Sequence, residues 1–571
     1  MANKKKLFLL PEIDFLRLNK IDKNFFYSKK LEQKQKKYDT QTIFKRFLRE
    51  LSNELNKIHN VNYSERFWNI LAGHWLNGYI NAIYRQYTNI KYCIDYKYKK
   101  KNLSKIKNFN YTIHGTEDFY WITNNYDWNQ KIFLQINNKL NKIKFIEKKS
   151  VNIKNFEIKK NQSKHNLRSY FKIIYNYICQ VFTTNFEPFI ISSCINKVDD
   201  FFLKLNFSIL PKYWQTKDFI RVKKDLKMRQ TLRSAIEYKG KDIFKNILYD
   251  LIYENIPTVL LEGFKKNLSY AKSLAWPKYP KFIFTSNNFC TDEIFKLYTA
   301  MRCEENIKYF VGQHGNNYGA RLSAKNYTEI ITSDKFLSWG WKDDKKIIPT
   351  YMFSKSKNEI KPPKSKNILF IVKPQNHNIL KYNIYSNMIF KLKKNIELIN
   401  NLNDEIKKRL FIRIVPNQTK AEYKNFFVKN NLFFLDPEYY FKKYIKNIKF
   451  DKRDISLEEA LRDYELIIHS YDGTSFNETI YHNIPTLGIW YSKLDNYNFN
   501  AKKIYKNLKK SKVIHFNNDS IIKFLNNKKN HDILSWWNEK KVKNSVSSYQ
   551  KNYSKSNIKK IKLSEMLNKL V

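Results

Sequence analysis

Cysteine is sparse in this chain: five residues in 571, scattered at Cys93, Cys179, Cys194, Cys290 and Cys303 without a C-x-x-C pair. An odd count at such spacings excludes a disulfide framework or a zinc ribbon and fits reduced thiols in a cytoplasm. Glycine (11) and proline (13) are as scarce, while 42% of residues are hydrophobic and 16% aromatic. That combination excludes collagen-like and disordered chains, and the length suits two or three domains with their own cores. Long apolar runs are missing too. The start, MANKKKLFLLPEID, is basic, but its apolar run stops at Pro11 and Glu12, short of a signal-peptide core. The best membrane candidate, 170–195, is broken by Lys172, Asn176, Gln180, Asn185 and Glu187, so no bilayer span is expected.

Acidic residues are also in deficit. Lys+Arg number 106 against 52 Asp+Glu, a net charge of +54. Such a field attracts polyanions: phosphorylated substrates, an anionic membrane face or nucleic acid. Lys far outnumbers Arg, the residue that makes bidentate base contacts, and this argues against nucleic acid. Abundant Lys, Asn, Ile and Tyr also track A/T-rich codons, so base composition accounts for much of the excess.

What is present is a change of pattern along the chain. A short strand is expected at residues 7–10, followed by helices to about residue 90, with FKRFLRELSNELNKIH at helical spacing. Residues 93–165 are Lys- and Asn-rich and resist assignment. From about residue 240, apolar runs recur at PTVLLEG (257–263), KFIFTSN (281–287), IKYFVGQHG (307–315) and FLSWGW (336–341), separated by amphipathic segments. Residues 350–366, with Pro362 and Pro363, read as a linker. Strands are then expected at 367–373, 411–416, 432–435, 465–470, 484–490 and 512–516, with helices at 385–402, 419–429, 456–463 and 474–482. The alternation predicts an α/β protein with two Rossmann-like domains facing a cleft, one at 1–350 (a helical region plus a Rossmann-like core, on the acceptor side) and one at 367–530 (the nucleotide-sugar side). Final helices, 531–571, are expected to pack back on the first domain.

Three strand ends carry chemistry. In His469-Ser-Tyr-Asp-Gly-Thr-Ser-Phe-Asn-Glu478 a strand closes at Ser470, Gly473 permits a turn, and Thr474 and Ser475 open a helix. Free N–H groups and hydroxyls there suit a phosphate, and Glu478, one turn on, suits a ribose diol; a plain helix cap is the competing reading. In Gly312-Gln-His-Gly-Asn-Asn-Tyr-Gly319, glycines flank a strand-end histidine. His314 can donate to an anion or move a proton, with Gln313, Gly315 and Asn316 forming a substrate loop; the alternative is a buried packing histidine. In Thr285-Ser-Asn-Asn-Phe-Cys-Thr-Asp292-Glu293, either acid is a candidate nucleophile or base, or a favourable charge at a helix start. Arg413 and Lys373 close two further strands and are expected to face the cleft as donor-binding cations, or to snorkel at an edge.

These pieces resemble a known family. LFLLPEID, SERFWNILAGHWLNGYINAIYRQY (64–87), PTVLLEGF, WPKYPKFIFTSN, GQHGNNYGA, EIITSDKFLSWGW (329–341), SYDGTSFNETIYHNIPTLGIW and SWWNEKKVKNSVSSYQKNY (535–553) run in order nearly end to end. The chain resembles transferases of bacterial surface-polysaccharide (O-antigen-type) gene clusters, similar in turn to GT-B glycosyltransferases handling Kdo and related nonulosonic sugars. It departs from the pattern at His74, where Pro is expected, and at Asn316, which replaces a third Gly. The resemblance implies a GT-B fold, a nucleotide-activated donor (preferably a CMP-linked acidic sugar of the Kdo type), and a lipid-linked surface glycan acceptor at the inner face of the plasma membrane. It implies no cofactor, and no DxD-like pair stands at a strand end to hold a metal. Two alternatives stay open: a CDP-glycerol-type glycerophosphotransferase or phospho-sugar transferase, and a non-enzymatic polyanion-binding protein.

Overall fold

The computed structural model describes residues 39–95, 101–107, 109–141, 145–152, 174–352, 365–373, 384–415, 420–527, 532–554 and 563–571, apart from positions 176, 180, 211–213, 215, 317, 431, 433, 492 and 493. The strand expected at 7–10 and the paired prolines of the linker lie outside the described residues.

The amphipathic pattern of the opening tract produces helix α1 (Thr40–His59). The Asp39 carboxylate accepts from the Gln41 N–H at 3.0 Å, and Asn60 ends the helix in the left-handed region at φ 53°. Phe44, Phe47, Leu48, Leu51 and Leu55 form its buried stripe, each contributing about 1.5–3 kcal/mol relative to exposure. The stripe packs on α2 (Glu65–Asp95). Within the Lys/Asn-rich stretch, β1 (Lys101–Lys107) and β2 (Phe145–Asn152) pair in parallel.

Next comes the first of two larger parallel sheets. It holds β3 (Phe189–Ile190), with α3 (Lys197–Asn206) after it, then β4 (Ile283–Thr285), α4 (Glu293–Glu304), β5 (Tyr309–Gly312), β6 (Lys335–Ser338) and β7 (Ile347–Pro349). These strands lie side by side in chain order. PTVLLEG is not one of them. Its apolar residues are buried, but Thr258–Leu260 form a 3-10 turn whose Thr258 and Val259 N–H groups donate to the carbonyls of Ile113 and His114. A short apolar run reports burial rather than backbone period, and Pro257 and Gly263 bound this one tightly.

The second sheet contains β8 (Ile368–Ile371), followed by α5 (Ile384–Asn400), β9 (Leu410–Arg413), β10 (Lys449–Phe450), β11 (Leu466–His469), α6 (Thr474–Tyr481), β12 (Thr486–Ile489) and β13 (Ile514–His515). Its six parallel strands run β10-β9-β8-β11-β12-β13. Counted from the first of them this is the doubly wound order 3-2-1-4-5-6. β8, β11 and β12 are buried along their whole length, as strands covered by helices on both faces must be. Residues 432–435 do not join them; Leu432 makes an isolated bridge to Asn125 instead.

The chain ends by crossing back. In α7 (Lys540–Tyr553), the Tyr549 hydroxyl donates to Asn477 Oδ1 of α6 at 2.6 Å, and Gln550 Nε2 donates to the Ile480 carbonyl. In α8 (Leu563–Leu570), Leu563 and Leu567 pack with Phe282, Phe310 and Trp339 of the first sheet. The protein is α/β, with two Rossmann-like parallel sheets.

Candidate active site

The order of the second sheet reverses between β8 and β11, and ligands of such sheets bind beyond the carboxyl ends of strands at that reversal. Here the Lys373 N–H, just past β8, donates to Ser470 Oγ, just past β11, at 3.1 Å. Tyr471 and Asp472 lead into Gly473, which precedes α6. A Cβ at Gly473 would lie 2.0 Å from the Tyr471 ring, so the turn leaves no room for a side chain. Ser475 Oγ lies 3.2 Å from His469 Nδ1. Burial pushes His469 down to about 3, so this support stays neutral. Glu478 lies one turn along α6, partly exposed.

The loop after β5 comes directly over this helix start. The Asn316 N–H donates to Thr474 Oγ1 at 3.1 Å, and Asn316 Nδ2 donates to Asp472 Oδ1 at 2.7 Å. A Cβ at Gly315 would come within 3.5 Å of Thr474 Oγ1. Gln313 anchors the loop from beneath: its Oε1 accepts from the Trp339 N–H and Trp341 Nε1, and its Nε2 donates to the Gly315 carbonyl. The structure thus brings Gln313, His314, Gly315, Asn316, Ser470, Gly473, Thr474 and Lys373 to one place.

Asp472 ties the two halves together. Its nearly buried carboxylate accepts from the Tyr497 hydroxyl at 2.5 Å and from Tyr505, and pairs with Arg321 at 3.3 Å. Arg321 also lies over the Tyr497 ring, 4.0 Å from its centroid. Asn498 donates to the Ala320 and Gly319 carbonyls. Beside this hub stands Lys391 of α5. Burial, together with the like charges of Lys373 and Arg321, pushes its ammonium down to about 7, and the Asp472 charge offsets only part of this. Three cations therefore gather near the amino end of α6, where an anion would relieve their repulsion.

His314 is open to solvent, yet it sits between Phe289 (centroids 5.6 Å apart) and Tyr318 (5.6 Å). Loss of water on those two faces pushes the ring down to about 4, while its outer edge stays accessible. Behind it, the Tyr318 hydroxyl donates to Glu329 Oε1 at 2.6 Å and lies 3.4 Å from His314 Nδ1. A hydroxyl already donating to a carboxylate accepts from Nδ1–H, which leaves Nε2 as the proton-accepting nitrogen. Glu329 Oε2 in turn lies 3.7 Å from His74 Nε2.

The other sequence candidates are engaged in structural contacts. Asp292 caps α4: one oxygen accepts from the Phe295 N–H at 3.0 Å and the other from Asn288 Nδ2 at 2.8 Å. Burial raises its carboxyl to about 6. Glu293 is buried on the Lys296 ammonium at 2.9 Å and accepts from the Thr116 N–H at 2.6 Å. Arg413 is turned onto Asp451 at 2.7 Å and the Ile455 carbonyl. A separate surface hollow of about 630 Å³ lies between α1 and residues 235–237, away from all of these groups. Among the described residues no group of three or more His, Cys, Asp or Glu could hold a metal ion.

Arg321, Asp472, Lys391, Tyr318 and Glu329 escape sequence reasoning. Asp472 and Tyr318 lie inside motifs already singled out, but nothing in a helical lysine such as Lys391 marks it before the fold is known.

The LIC12162 family transferase model matches residues 19–569. The chain belongs to that family. A Listeria monocytogenes protein assigned as a UDP-N-acetylglucosamine 2-epimerase aligns over 65% of this chain and 92% of its own, at 10% identity and a TM-score of 0.33. The wall teichoic acid polymerase TagF aligns over 53% of this chain and 83% of its own, at 12% identity and a TM-score of 0.27. No curated protein matches the transferase.

Proposed function

We propose that this transferase is a glycosyltransferase that moves a sugar, preferably a CMP-activated acidic sugar of the Kdo type, onto a lipid-linked surface glycan at the inner face of the plasma membrane. The observation that carries the reading is the meeting of the α6 amino end with the His314 loop and three cations at the strand reversal. In this reading the second sheet and its helices hold the nucleotide, and the first sheet presents the acceptor. The α6 N–H groups, Thr474 and Ser475 receive the donor phosphate, and Glu478 binds the ribose. Lys373, Lys391 and Arg321 supply charge that grows in value as the phosphate departs.

His314 is the proton acceptor. Neutral above about pH 4, its Nε2 takes the proton of the acceptor hydroxyl as that oxygen bonds to the anomeric carbon. The bond from that carbon to the phosphate oxygen breaks, and the nucleotide leaves with the electron pair. Tyr318 and Glu329 orient the ring for this step. Asp292, with both oxygens engaged as a cap, shapes the neighbouring loop rather than attacking the sugar.

A donor screen tests the proposal. CMP, CDP, UDP and GDP sugars are each incubated with protein and a lipid-linked glycan, and nucleotide release and product mass are followed. CMP release with a sugar-sized mass gain on the acceptor is expected. Transfer of a phosphate-bearing group from a CDP donor would identify a glycerophosphotransferase-type reaction instead, and no release from any donor would remove the glycosyltransferase reading.

A further inference from the structure

Helix α3 anchors itself inward through few residues and carries a second apolar stripe on its outward side. Its inward side carries Asp200 and Lys204, joined in an ion pair at 2.7 Å, with Ser193 Oγ donating to the same carboxylate. Its outward side carries Val198, Phe201, Phe202 and Leu205, spaced i, i+3, i+4 and i+7, and between 42% and 64% exposed. A helix of a water-soluble surface puts that stripe inward. Here the inward place is taken by the Asp200–Lys204 pair together with Leu203, which is buried in the core beside Phe282, and the outward apolar stripe is left as a presented surface.

The chain just before β3 adds to it. Tyr177, Val181, Phe182 and Phe186 are 65–71% exposed, and Phe186 stacks on the exposed Tyr279 at 6.0 Å. Exposed apolar side chains clustered in this way mark a site of association. Around it stand the exposed lysines Lys197, Lys278, Lys281 and Lys569, against the exposed acid Glu565 and the partly exposed Asp199 and Glu187. Lys281 Nζ donates to Asn568 Oδ1 on α8, and Asn206 at the end of α3 donates to Ser564 of that helix, so these pieces share one edge of the molecule.

We propose that the outward face of α3, with Tyr177, Val181, Phe182 and Phe186, forms a docking surface for an anionic lipid bilayer. The stripe demands an apolar medium and the +54 chain demands negative charge; the interface of an anionic bilayer supplies both within a few ångströms. A second copy of the chain would cover the stripe but bring another +54 against it. Tyr and Phe at the rim fit the headgroup level, where rings with one wet side reside. No described helix is long and apolar enough to cross a membrane, so the attachment is interfacial. The proposal gives the lipid-linked acceptor of the preceding reading a place to meet the enzyme, but binding is measured with neither donor nor acceptor present. Failure of one therefore leaves the other standing.

Flotation of the full chain with vesicles tests it. Vesicles of phosphatidylcholine alone are compared with vesicles containing phosphatidylglycerol. The wild-type chain is expected to float with the anionic vesicles and stay behind with the neutral ones. Phe201→Ser combined with Phe202→Ser should lower the bound fraction about tenfold or more at equal lipid, with an unchanged melting temperature because both rings already face out. Tyr177→Ser with Phe182→Ser, an independent pair, should do the same. Val428→Ser, which removes an equally exposed side chain from another surface, should float as wild type does. No flotation with anionic vesicles, or undiminished flotation of both double variants, would overturn the proposal. A wild-type dimer that the Phe201/Phe202 variant converts to monomer would overturn it too, by giving the face to a second copy.

Discussion

At the scale of single residues, the site rests on Thr474, Glu478 and His314. Thr474→Ala removes the acceptor of the Asn316 N–H and a hydroxyl for the donor phosphate, and Glu478→Ala removes the proposed ribose contact. Each should weaken nucleotide binding by about 1.5–3 kcal/mol, the range for a hydrogen bond to a charged group, without changing the melt; calorimetry reads this directly. His314→Ala should lose two or more orders of magnitude in turnover while nucleotide affinity holds. Asp292→Asn should keep turnover within about tenfold, because Asn caps a helix as well as Asp. Loss of all turnover in that variant, with a normal melt, would return Asp292 to the chemistry. The glycine-flanked His314 and the Thr-Ser helix start were legible in the sequence because strand-end loops advertise themselves by composition. Asp472 beside them carries no such mark, because its role depends on Arg321, Tyr497 and Tyr505, which only the fold brings around it.

At the scale of elements, legibility followed burial. β8, β11 and β12 are covered on both faces and stand out as continuous apolar runs. β3, β7 and β10 are two or three residues each, at or near sheet edges, too short to carry a pattern. PTVLLEG carries a buried pattern without being a strand, since its hydrogen bonds go to residues 113–114 as a turn. One junction decides how the last helices dock. Gly340, after β6, sits at φ +120°, and a Cβ there would lie 2.6 Å from the Lys551 carbonyl of α7. Gly340→Ala therefore strains the backbone and pushes α7 away. A loss of about 1–3 kcal/mol is expected, with faster hydrogen exchange in α7 and α6, which share the Asn477–Tyr549 hydrogen bond. An unchanged exchange pattern would mean that α7 is not what steadies α6.

At the scale of the whole molecule, buried histidines set the response to acid. Burial pushes His59 and His515 down to about 4, and His74 and His469 to about 3. The unfolded chain, with histidines near 6.5, binds more protons through that window, so the histidines' contribution to stability is full above about pH 6.5 and is lost as pH falls. His469 alone contributes about 2 kcal/mol of that loss by pH 5. Asp292, raised to about 6, acts in the opposite sense: it favours the fold at low pH and loses that contribution as pH rises through 6. The histidines outnumber it, so the melting temperature should drop steeply between pH 6.5 and 5; a flat profile would contradict the burial of these rings. The central claim is that a nucleotide binds where the two halves meet, at the α6 amino end beneath the His314 loop. Calorimetric titration of wild type and Thr474→Ala with CMP, CDP, UDP and GDP tests it most directly. The account predicts that a cytidine nucleotide binds the wild-type chain and binds the variant at least tenfold more weakly; equal affinity in both chains, or no binding of any nucleotide, would contradict it.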